Sequence, residues 1–177
     1  DAESTADYIS TVVTTMNEEG ISSTLKHFPG YGNNEDTHTG IAYDNRPMST
    51  FESSDFLPFL AGIKAGAPAV LVSHNIVNCM DSGAPASRSK EVHRILREEL
   101  GFTGVIMTDD LAMQAIPSYT GQDPSIMAFQ AGNDILLTSD LEGGVAAIKQ
   151  AVTDGTITEQ EINERVLRVL AWKLQYR

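Results

Sequence analysis

An aspartate and a histidine that stand two residues apart, Asp36 and His38, are the first candidates for chemistry. A carboxylate beside an imidazole can hold the ring in one tautomer and raise its basicity. A histidine in that state can give and take a proton near neutral pH, which is what general acid–base catalysis requires. The ordinary alternative is a solvated loop histidine with no special role.

Asp109 is the second candidate, because it directly follows an apolar run, residues 104–108, that is typical of a buried strand. A carboxylate at the mouth of a strand is oriented by rigid backbone. However, an aspartate after a strand also commonly caps the helix that comes next. We assign chemistry to Asp109, and we assign Asp110 to capping or to holding its neighbours.

Lys26 and His27 end another predicted strand, residues 21–27, just before the sequence Phe-Pro-Gly-Tyr-Gly. Pro29 fixes its own φ, and the two glycines allow backbone conformations closed to other residues, so the chain must turn here. A lysine at a strand mouth needs a partner for its charge, and Asp109 or a substrate hydroxyl would serve. A structural ion pair is the plain alternative for Lys26.

Apolar strands alternate strictly with amphipathic helices along the chain. The strands are predicted for residues 21–27, 68–73, 104–108 and 134–138. The helices are predicted for residues 2–19, 56–63, 92–100, 124–131 and 141–152, and for a last segment that opens with a Thr158-x-x-Glu161 capping box. Ser53 or Ser54 is predicted to cap the second helix. This order predicts an α/β fold with parallel strands, and it fits either an open doubly wound sheet or half of a (β/α)8 barrel. Both architectures place active sites at the carboxyl ends of the strands.

Other polar and aromatic residues receive structural predictions. His74 follows a strand and is expected to be a hydrogen-bonded core histidine, whereas His93 is expected on a solvated helix face. We assign Arg46 no role beyond pairing within its loop. Trp172 and Tyr176 are four apart on a helix, a spacing that favours packing over sugar stacking.

Composition excludes several classes of partner. The chain has 177 residues, 41% of them hydrophobic, and a net charge of −12 at pH 7. This acidity argues against nucleic acid and against an acidic membrane surface. No apolar stretch approaches the ~20 residues of a membrane span, no signal peptide is visible, and the single cysteine, Cys79, excludes an intrachain disulfide. Asp1 is not a natural start, so we expect the numbering to begin inside a longer chain or after processing.

Two motifs resemble the signatures of family 3 glycoside hydrolases, specifically the β-N-acetylglucosaminidase branch. The first runs Lys-His-Phe-Pro-Gly-Tyr-Gly from Lys26 and is followed by Asp36-x-His38. The second is Gly-Val-Ile-Met-Thr-Asp-Asp-Leu-Ala-Met over residues 104–113. Smaller similarities at residues 71–75 and 131–137 extend the resemblance over nearly the whole chain. Tyr31 departs from the pattern, since many relatives have His or Arg there.

The resemblance implies a role for each candidate. Asp109 would be the nucleophile that attacks the anomeric carbon and forms a covalent glycosyl-enzyme intermediate. His38, oriented by Asp36, would protonate the leaving oxygen and then deprotonate the attacking water. Substrate contacts are implied for Lys26 and His27, which would bind sugar hydroxyls, and for Met113, which would border the acetamido pocket. No metal and no other cofactor is implied.

The resemblance also favours the barrel over the open sheet. Residues 1–177 would be a partial catalytic domain, with a helix followed by four βα units that form strands five to eight, the C-terminal half of a (β/α)8 TIM-type barrel. A full barrel takes about 250 residues, so the N-terminal half and its sugar-binding residues would be absent from this chain. A half barrel leaves strand edges unpaired and its apolar lining uncovered. We expect the missing half, or a second copy of the chain, to close it.

The leading hypothesis is a retaining glycosidase that removes β-linked N-acetylglucosamine from chitooligosaccharides or peptidoglycan fragments, as in peptidoglycan recycling. A β-glucosidase or β-xylosidase of the same family normally lacks the loop Asp-x-His, so Asp36 and His38 argue against it. A variant that uses phosphate as the acceptor would share these residues. A metal-dependent barrel hydrolase would use His27, His38, His74 and Asp109 as ligands, although no close ligand pair occurs at a strand end. An inactive sugar-binding fragment is the last alternative. A role at the bacterial cell wall is implied only by the family.

Overall fold

Parallel strands form two small sheets in the computed structural model, which describes residues 1–34, 40–112 and 123–176. The strands are β1 (Thr24–Phe28), β2 (Tyr43–Asp44), β3 (Ala69–Val72), β4 (Ile76–Val77) and β5 (Val105–Thr108). The larger sheet has the order β1-β3-β5, and β2 pairs with β4 in the smaller one. All of these pairings are parallel. The predicted α/β class with parallel strands is therefore confirmed.

Helices connect the strands, as the apolar periodicity predicted. The α-helices are α1 (Ala2–Glu18), α2 (Met48–Thr50), α3 (Phe56–Lys64), α4 (Lys90–Arg94), α5 (Pro124–Ala131), α6 (Leu141–Thr153) and α7 (Glu159–Gln175). The described ranges also contain two π-helical segments, Phe51–Asp55 and Ile95–Glu99, and one 3₁₀ turn, Ala86–Arg88.

The serine cap predicted for the helix at residues 56–63 is wrong. Helical backbone begins earlier, at Met48, with Pro47 in the N-cap position. Ser53 therefore lies inside the helical stretch, and its hydroxyl donates to the Ser49 carbonyl instead of capping a free N–H group.

Both faces of the larger sheet are covered, which explains why its strands are continuously apolar. Val70, Val72 and Ile106 belong to a core that includes Val13 of α1 and Phe59 of α3. The alternate residues of the same strands form a second cluster, and α7 contributes Val169 and Trp172 to it. This second cluster consists of Ala69, Leu71, Val105 and Met107.

The strand predicted for residues 134–138 is wrong as a regular element. In the part of the chain that the structure describes, the segment makes a single parallel bridge, between Met107 and Ile135. The Asp134 carboxylate accepts the Ile106 N–H at 2.8 Å. The Ile106 carbonyl in turn accepts N–H groups from both Asp134 and Ile135. Beyond the bridge, the Leu137 N–H donates to the Thr108 hydroxyl at 2.9 Å. Because side-chain oxygens of Asp134 and Thr108 take the places of ladder carbonyls on the two sides of the bridge, the ladder does not extend, although the segment still lies beside β5.

Asp134 holds this segment with buried charge. Its side chain is 0% exposed, and it accepts from Arg97 at 2.8 Å and from Arg168 of α7 at 2.7 Å. A buried carboxylate is tolerated only when it is paired and hydrogen-bonded. The ion pairs therefore tie the fourth segment to α7 and to the π-helical segment after α4.

The last helix, α7, begins with the predicted capping box, in which the Thr158 hydroxyl accepts the Glu161 N–H and the Glu161 carboxylate accepts the Thr158 N–H. Near its other end, the Trp172 indole N–H donates to the Ser22 hydroxyl at 2.7 Å. Ser22 precedes β1, so Trp172 lies at the end of the sheet opposite the predicted site. Over the described ranges, no helix combines the length and the apolar composition that a membrane-spanning helix requires.

Two of the described histidines are buried, and the prediction is right for one and wrong for the other. His74 is 0% exposed and hydrogen-bonded at both ring nitrogens, as expected of a core histidine. His93 is only 3% exposed, so its predicted solvated position is wrong. It packs against Gly132 and pairs with the Ser89 carbonyl through Nδ1. Desolvation by burial lowers the pKa of both imidazoles, which keeps them neutral.

We expect the free energy of unfolding to fall as the pH is lowered from about 6.5 towards 5. In this range a histidine in the unfolded chain binds a proton, whereas the buried imidazole stays neutral. Since the folded pKa is depressed, the stabilisation is complete above the unfolded pKa and is lost below it. His93→Asn, which retains a donor near Nδ1, should make this pH dependence shallower by up to about 1.4 kcal/mol per pH unit. Urea unfolding at pH 7.5 and pH 5.5 measures the difference.

Thr158→Ala is the control for this experiment. It removes a capping hydroxyl that does not titrate, so it should cost about 1 kcal/mol equally at both pH values. A His93→Asn variant with the same pH dependence as the unmodified protein would contradict the assignment of a neutral buried imidazole.

Candidate active site

The carboxyl ends of the three longer strands, β1, β3 and β5, lie side by side at one end of the larger sheet. Ser73, directly after β3, donates its N–H to the Phe28 carbonyl at 3.0 Å. Asp109, directly after β5, donates its N–H to the Val72 carbonyl at 3.0 Å. These bonds extend the parallel ladders one residue beyond the strands. The side chains that follow the strands therefore stand side by side.

Asp109 has a carboxylate that is both held and accessible. Its Oδ1 accepts the Asp110 N–H at 2.9 Å. Its Oδ2 lies 3.9 Å from Nε2 of His27, and the two side chains are 22% and 32% exposed. The His27 ring also lies against Tyr31, with ring centroids 5.8 Å apart. The structure thus brings together Asp109 and His27, two of the residues predicted from the sequence.

Lys26 is not brought to Asp109. Its side chain is exposed, and it has no ion pair with another described residue at 4.0 Å or less. Instead it lines a cleft of about 690 Å³ beside β1, the first strand in the order of the larger sheet. The cleft is also lined by Thr5, Ile9, Gly30, Arg46 and Asp55. The predicted pairing of Lys26 with Asp109 is therefore absent from the described part of the chain.

His74 connects the end of β3 to the turn that carries Asp109. Its Nε2 lies 2.9 Å from the Asp110 carbonyl oxygen, and its Nδ1 lies 2.7 Å from the Ser87 hydroxyl. A carbonyl only accepts, so Nε2 carries the proton and Nδ1 accepts from Ser87. Because both nitrogens are engaged, His74 is not available as a metal ligand. Among the described residues, no group of three or more His, Cys, Asp or Glu side chains could hold a metal ion.

Three of the predicted site residues, Asp36, His38 and Met113, lie outside the described residues. The chain is described up to Asn34 and again from Gly40, and it is described up to Ala112 before the second gap. The residues on either side of Asp36 and His38 are nevertheless informative, because they take part in a charged cluster.

This cluster is centred on Arg46, to which the sequence analysis gave no role beyond pairing within its loop. Its Nη2 donates to Asp44 at 2.7 Å, and its Nη1 donates to Asp55 at 3.0 Å. Nη2 also donates to the Gly30 carbonyl at 3.0 Å. Asn34 donates to Asp44 at 2.9 Å. The cluster therefore joins Gly30, Asn34 and Asp55 to the Asp44–Arg46 pair. Only the two members of that pair are close to each other in sequence.

Asp44 is the buried member of this cluster, with a side chain 1% exposed. Burial by itself raises the pKa of its carboxyl, but hydrogen bonds from Arg46 and Asn34 outweigh burial and hold that pKa below its usual value. Asp44 is thus a carboxylate at neutral pH, and it fixes the Arg46 guanidinium beside it.

The glycines of the Phe-Pro-Gly-Tyr-Gly turn are explained by the same cluster. Gly30 has a φ of +133°, and a Cβ there would collide with the Asp55 carboxylate. Gly32 has a φ of +56°, and a Cβ there would lie 3.1 Å from the Arg46 guanidinium carbon. Both positions need glycine for conformation and for space. The paired glycines are the one signal in the sequence that could have pointed to a group packed against this turn.

Known proteins share both sequence and fold with this chain. The model of the glycosyl hydrolase family 3 N terminal domain matches residues 1–172. A beta-hexosaminidase of Xanthomonas campestris is 37% identical over 159 residues, which are 89% of this chain and 48% of that protein. The chain therefore spans about half the length of the curated relatives it matches.

Two solved structures are similar in both fold and sequence. A family 3 β-N-acetylglucosaminidase from Paenibacillus is 32% identical, with a TM-score of 0.86 over 94% of this chain and 33% of that one. A beta-N-acetylhexosaminidase from Beutenbergia cavernae is also 32% identical, with a TM-score of 0.87 over 98% of this chain and 53% of that one. With a family model that covers almost its entire length, this chain belongs to glycosyl hydrolase family 3, in the N-terminal domain of that family.

Proposed function

We propose that the chain is the catalytic part of a retaining β-N-acetylhexosaminidase that removes β-linked N-acetylglucosamine from chitooligosaccharides or peptidoglycan fragments. The observation that carries the proposal is the Asp109 carboxylate, which is partly exposed at the end of β5 and lies 3.9 Å from His27. The three relatives reported above support the specificity, because each is named a hexosaminidase or an N-acetylglucosaminidase.

The proposed reaction has two steps. In the first, the Asp109 carboxylate attacks the anomeric carbon while the bond to the leaving oxygen breaks, and the His38 imidazolium gives its proton to that oxygen. In the second, neutral His38 takes a proton from water as the water oxygen attacks the same carbon and the ester bond to Asp109 breaks. Both residues return to their starting forms. Asp36 orients the His38 ring and stabilises its charged form.

Substrate contacts are proposed for three further residues. His27 binds a sugar hydroxyl beside Asp109, a role that its position and partial exposure support. Lys26 contacts the sugar from the cleft along the edge of β1. Met113 borders the acetamido group. The exposure of Lys26 fits the barrel proposed below, in which further protein covers this side of β1.

We also propose that the larger sheet is part of a barrel, with β1, β3, β5 and the segment at Ile135 as strands five to eight. In support, the four segments lie side by side in the same order in which they occur along the chain. A doubly wound sheet is instead divided by a reversal of strand order. Among the described strands, β1 lies at the edge of the larger sheet, and the N–H and C=O groups of a sheet edge can pair with another strand. The N-terminal half of the barrel, or a second copy of this chain, would cover it.

Asp109→Asn should abolish turnover of an aryl N-acetyl-β-glucosaminide in the complete protein that carries this chain. We expect a loss of at least about 10³-fold, because an amide is not a nucleophile. Asp110→Asn, which retains the side-chain oxygen that accepts the Ala112 N–H, is the matched control and should lose far less.

A fluorinated N-acetylglucosaminide donor should label Asp109 covalently. The product in phosphate buffer should be free N-acetylglucosamine rather than a sugar phosphate. Label on another residue, or full turnover by the Asn variant, would remove the mechanism.

His38→Ala should slow poor leaving groups far more than good ones. For a phenyl glycoside we expect kcat/KM to fall about 10²- to 10⁴-fold, because the leaving oxygen needs a proton. For the 2,4-dinitrophenyl glycoside, whose leaving group needs none, the loss should be much smaller. Equal losses for the two substrates would contradict the acid–base role of His38.

A further inference from the structure

We propose that Arg46 is a positioning residue for the acid–base step: through Asp44 and Asn34 it ties together the two ends of the segment that carries Asp36 and His38. This inference rests on the proposed function, and it adds to it a residue outside the sequence motifs.

The segment that carries Asp36 and His38 is bounded by Asn34 and Asp44, and these two residues are hydrogen-bonded to each other at the buried Asp44 carboxylate. Asn34 is the last described residue before the gap, and its side-chain amide donates to Asp44 Oδ2 at 2.9 Å. Asp44 lies in β2, just after the segment returns, and it is nearly inaccessible to water. Arg46 completes the contact, because its own N–H and its Nε both donate to Asp44 at 3.0 Å.

Arg46 also anchors this junction to two fixed parts of the fold. One is the turn after β1, through the Gly30 carbonyl. The other is the π-helical segment before α3, where Nη1 donates to both Asp55 oxygens at 3.0 and 3.1 Å. The Phe51 ring packs 4.4 Å from the guanidinium carbon. A planar guanidinium can serve these acceptors together, whereas a lysine ammonium has a different geometry and fewer donors.

The candidate nucleophile is held by different contacts. Asp109 is fixed by its N–H bond to Val72, by the Asp110 N–H and by the ladder of β5. None of these contacts involves Arg46, Asp44 or Asn34. Since proton transfer requires heavy atoms within about 2.6–3.2 Å, loosening the ends of the His38 segment should impair proton transfer and spare attack by Asp109.

Arg46→Gln, tested in the complete protein, should therefore lower kcat/KM for the phenyl glycoside about 10- to 100-fold. For the 2,4-dinitrophenyl glycoside it should stay within about threefold of the unmodified value. Arg46→Lys, which keeps the charge and loses the fork, should fall between Gln and the unmodified protein for the phenyl substrate. Active-site titration with the fluorinated donor corrects for any loss of folded enzyme, which would otherwise slow both substrates alike.

Asn34→Ala tests the same inference with a milder change, in case Arg46→Gln does not fold. It removes one hydrogen bond between the two ends, so it should slow the phenyl glycoside a few-fold (about 3- to 10-fold) and spare the dinitrophenyl glycoside. Asn78→Ala is the matched control. Asn78 is exposed and donates to Asn45, which lies between Asp44 and Arg46 but outside the cluster, so both substrates should be turned over at unmodified rates.

Equal losses on the two substrates after active-site titration, in Arg46→Gln and in Asn34→Ala, would overturn this inference, as would no loss in either variant. That outcome is distinct from a failure of the proposed function. If His38→Ala discriminates between the leaving groups and the Arg46 and Asn34 variants do not, only the positioning role is wrong. If His38→Ala does not discriminate, the acid–base assignment itself fails.

Discussion

The candidate site depends on the parallel ladders continuing one residue beyond the strands. The N–H groups of Ser73 and Asp109 reach back to carbonyls of the neighbouring strands, and so the first residue of each loop is as well fixed as the strand before it. A side chain at such a position has its direction set by backbone hydrogen bonds rather than by its own contacts. This is why a carboxylate can be partly exposed at the sheet edge and still be oriented towards His27.

Buried aspartates stabilise the places where regular structure ends. Asp134 substitutes a carboxylate oxygen for a ladder carbonyl where the fourth segment joins β5, and Arg97 and Arg168 balance its charge. Asp44 accepts the Arg46 N–H where β2 ends, and the Arg46 guanidinium balances its charge. A buried charge that loses its partner costs several kcal/mol. Each aspartate therefore commits its arginine, and the element that carries the arginine, to one position.

His74 adds a neutral link between these charged groups and the candidate nucleophile. Burial lowers the pKa of its imidazole, and the Asp110 carbonyl determines which nitrogen carries the proton. The turn after β5 is thus held from the side of β3 without placing a positive charge next to Asp109. His27, which is more exposed, faces the carboxylate. The two histidines differ in burial rather than in residue type, and burial separates the structural one from the one suited to contact a ligand.

The sequence by itself determined the alternation of strands and helices, the parallel class, the capping box of α7 and the strand-end position of Asp109, because periodicity, capping residues and chain order are local properties. It failed where a distant partner decides. Residues 134–138 have the apolar pattern of a strand, but side-chain oxygens of Asp134 and Thr108 replace ladder carbonyls. His93 has charged neighbours in sequence, but it packs against Gly132. Arg46 lies among ordinary loop residues, and only the folded chain brings Gly30 and Asp55 to it. The tertiary structure decided these points because burial and ion pairing are set by residues far apart in the chain, and no local pattern records them.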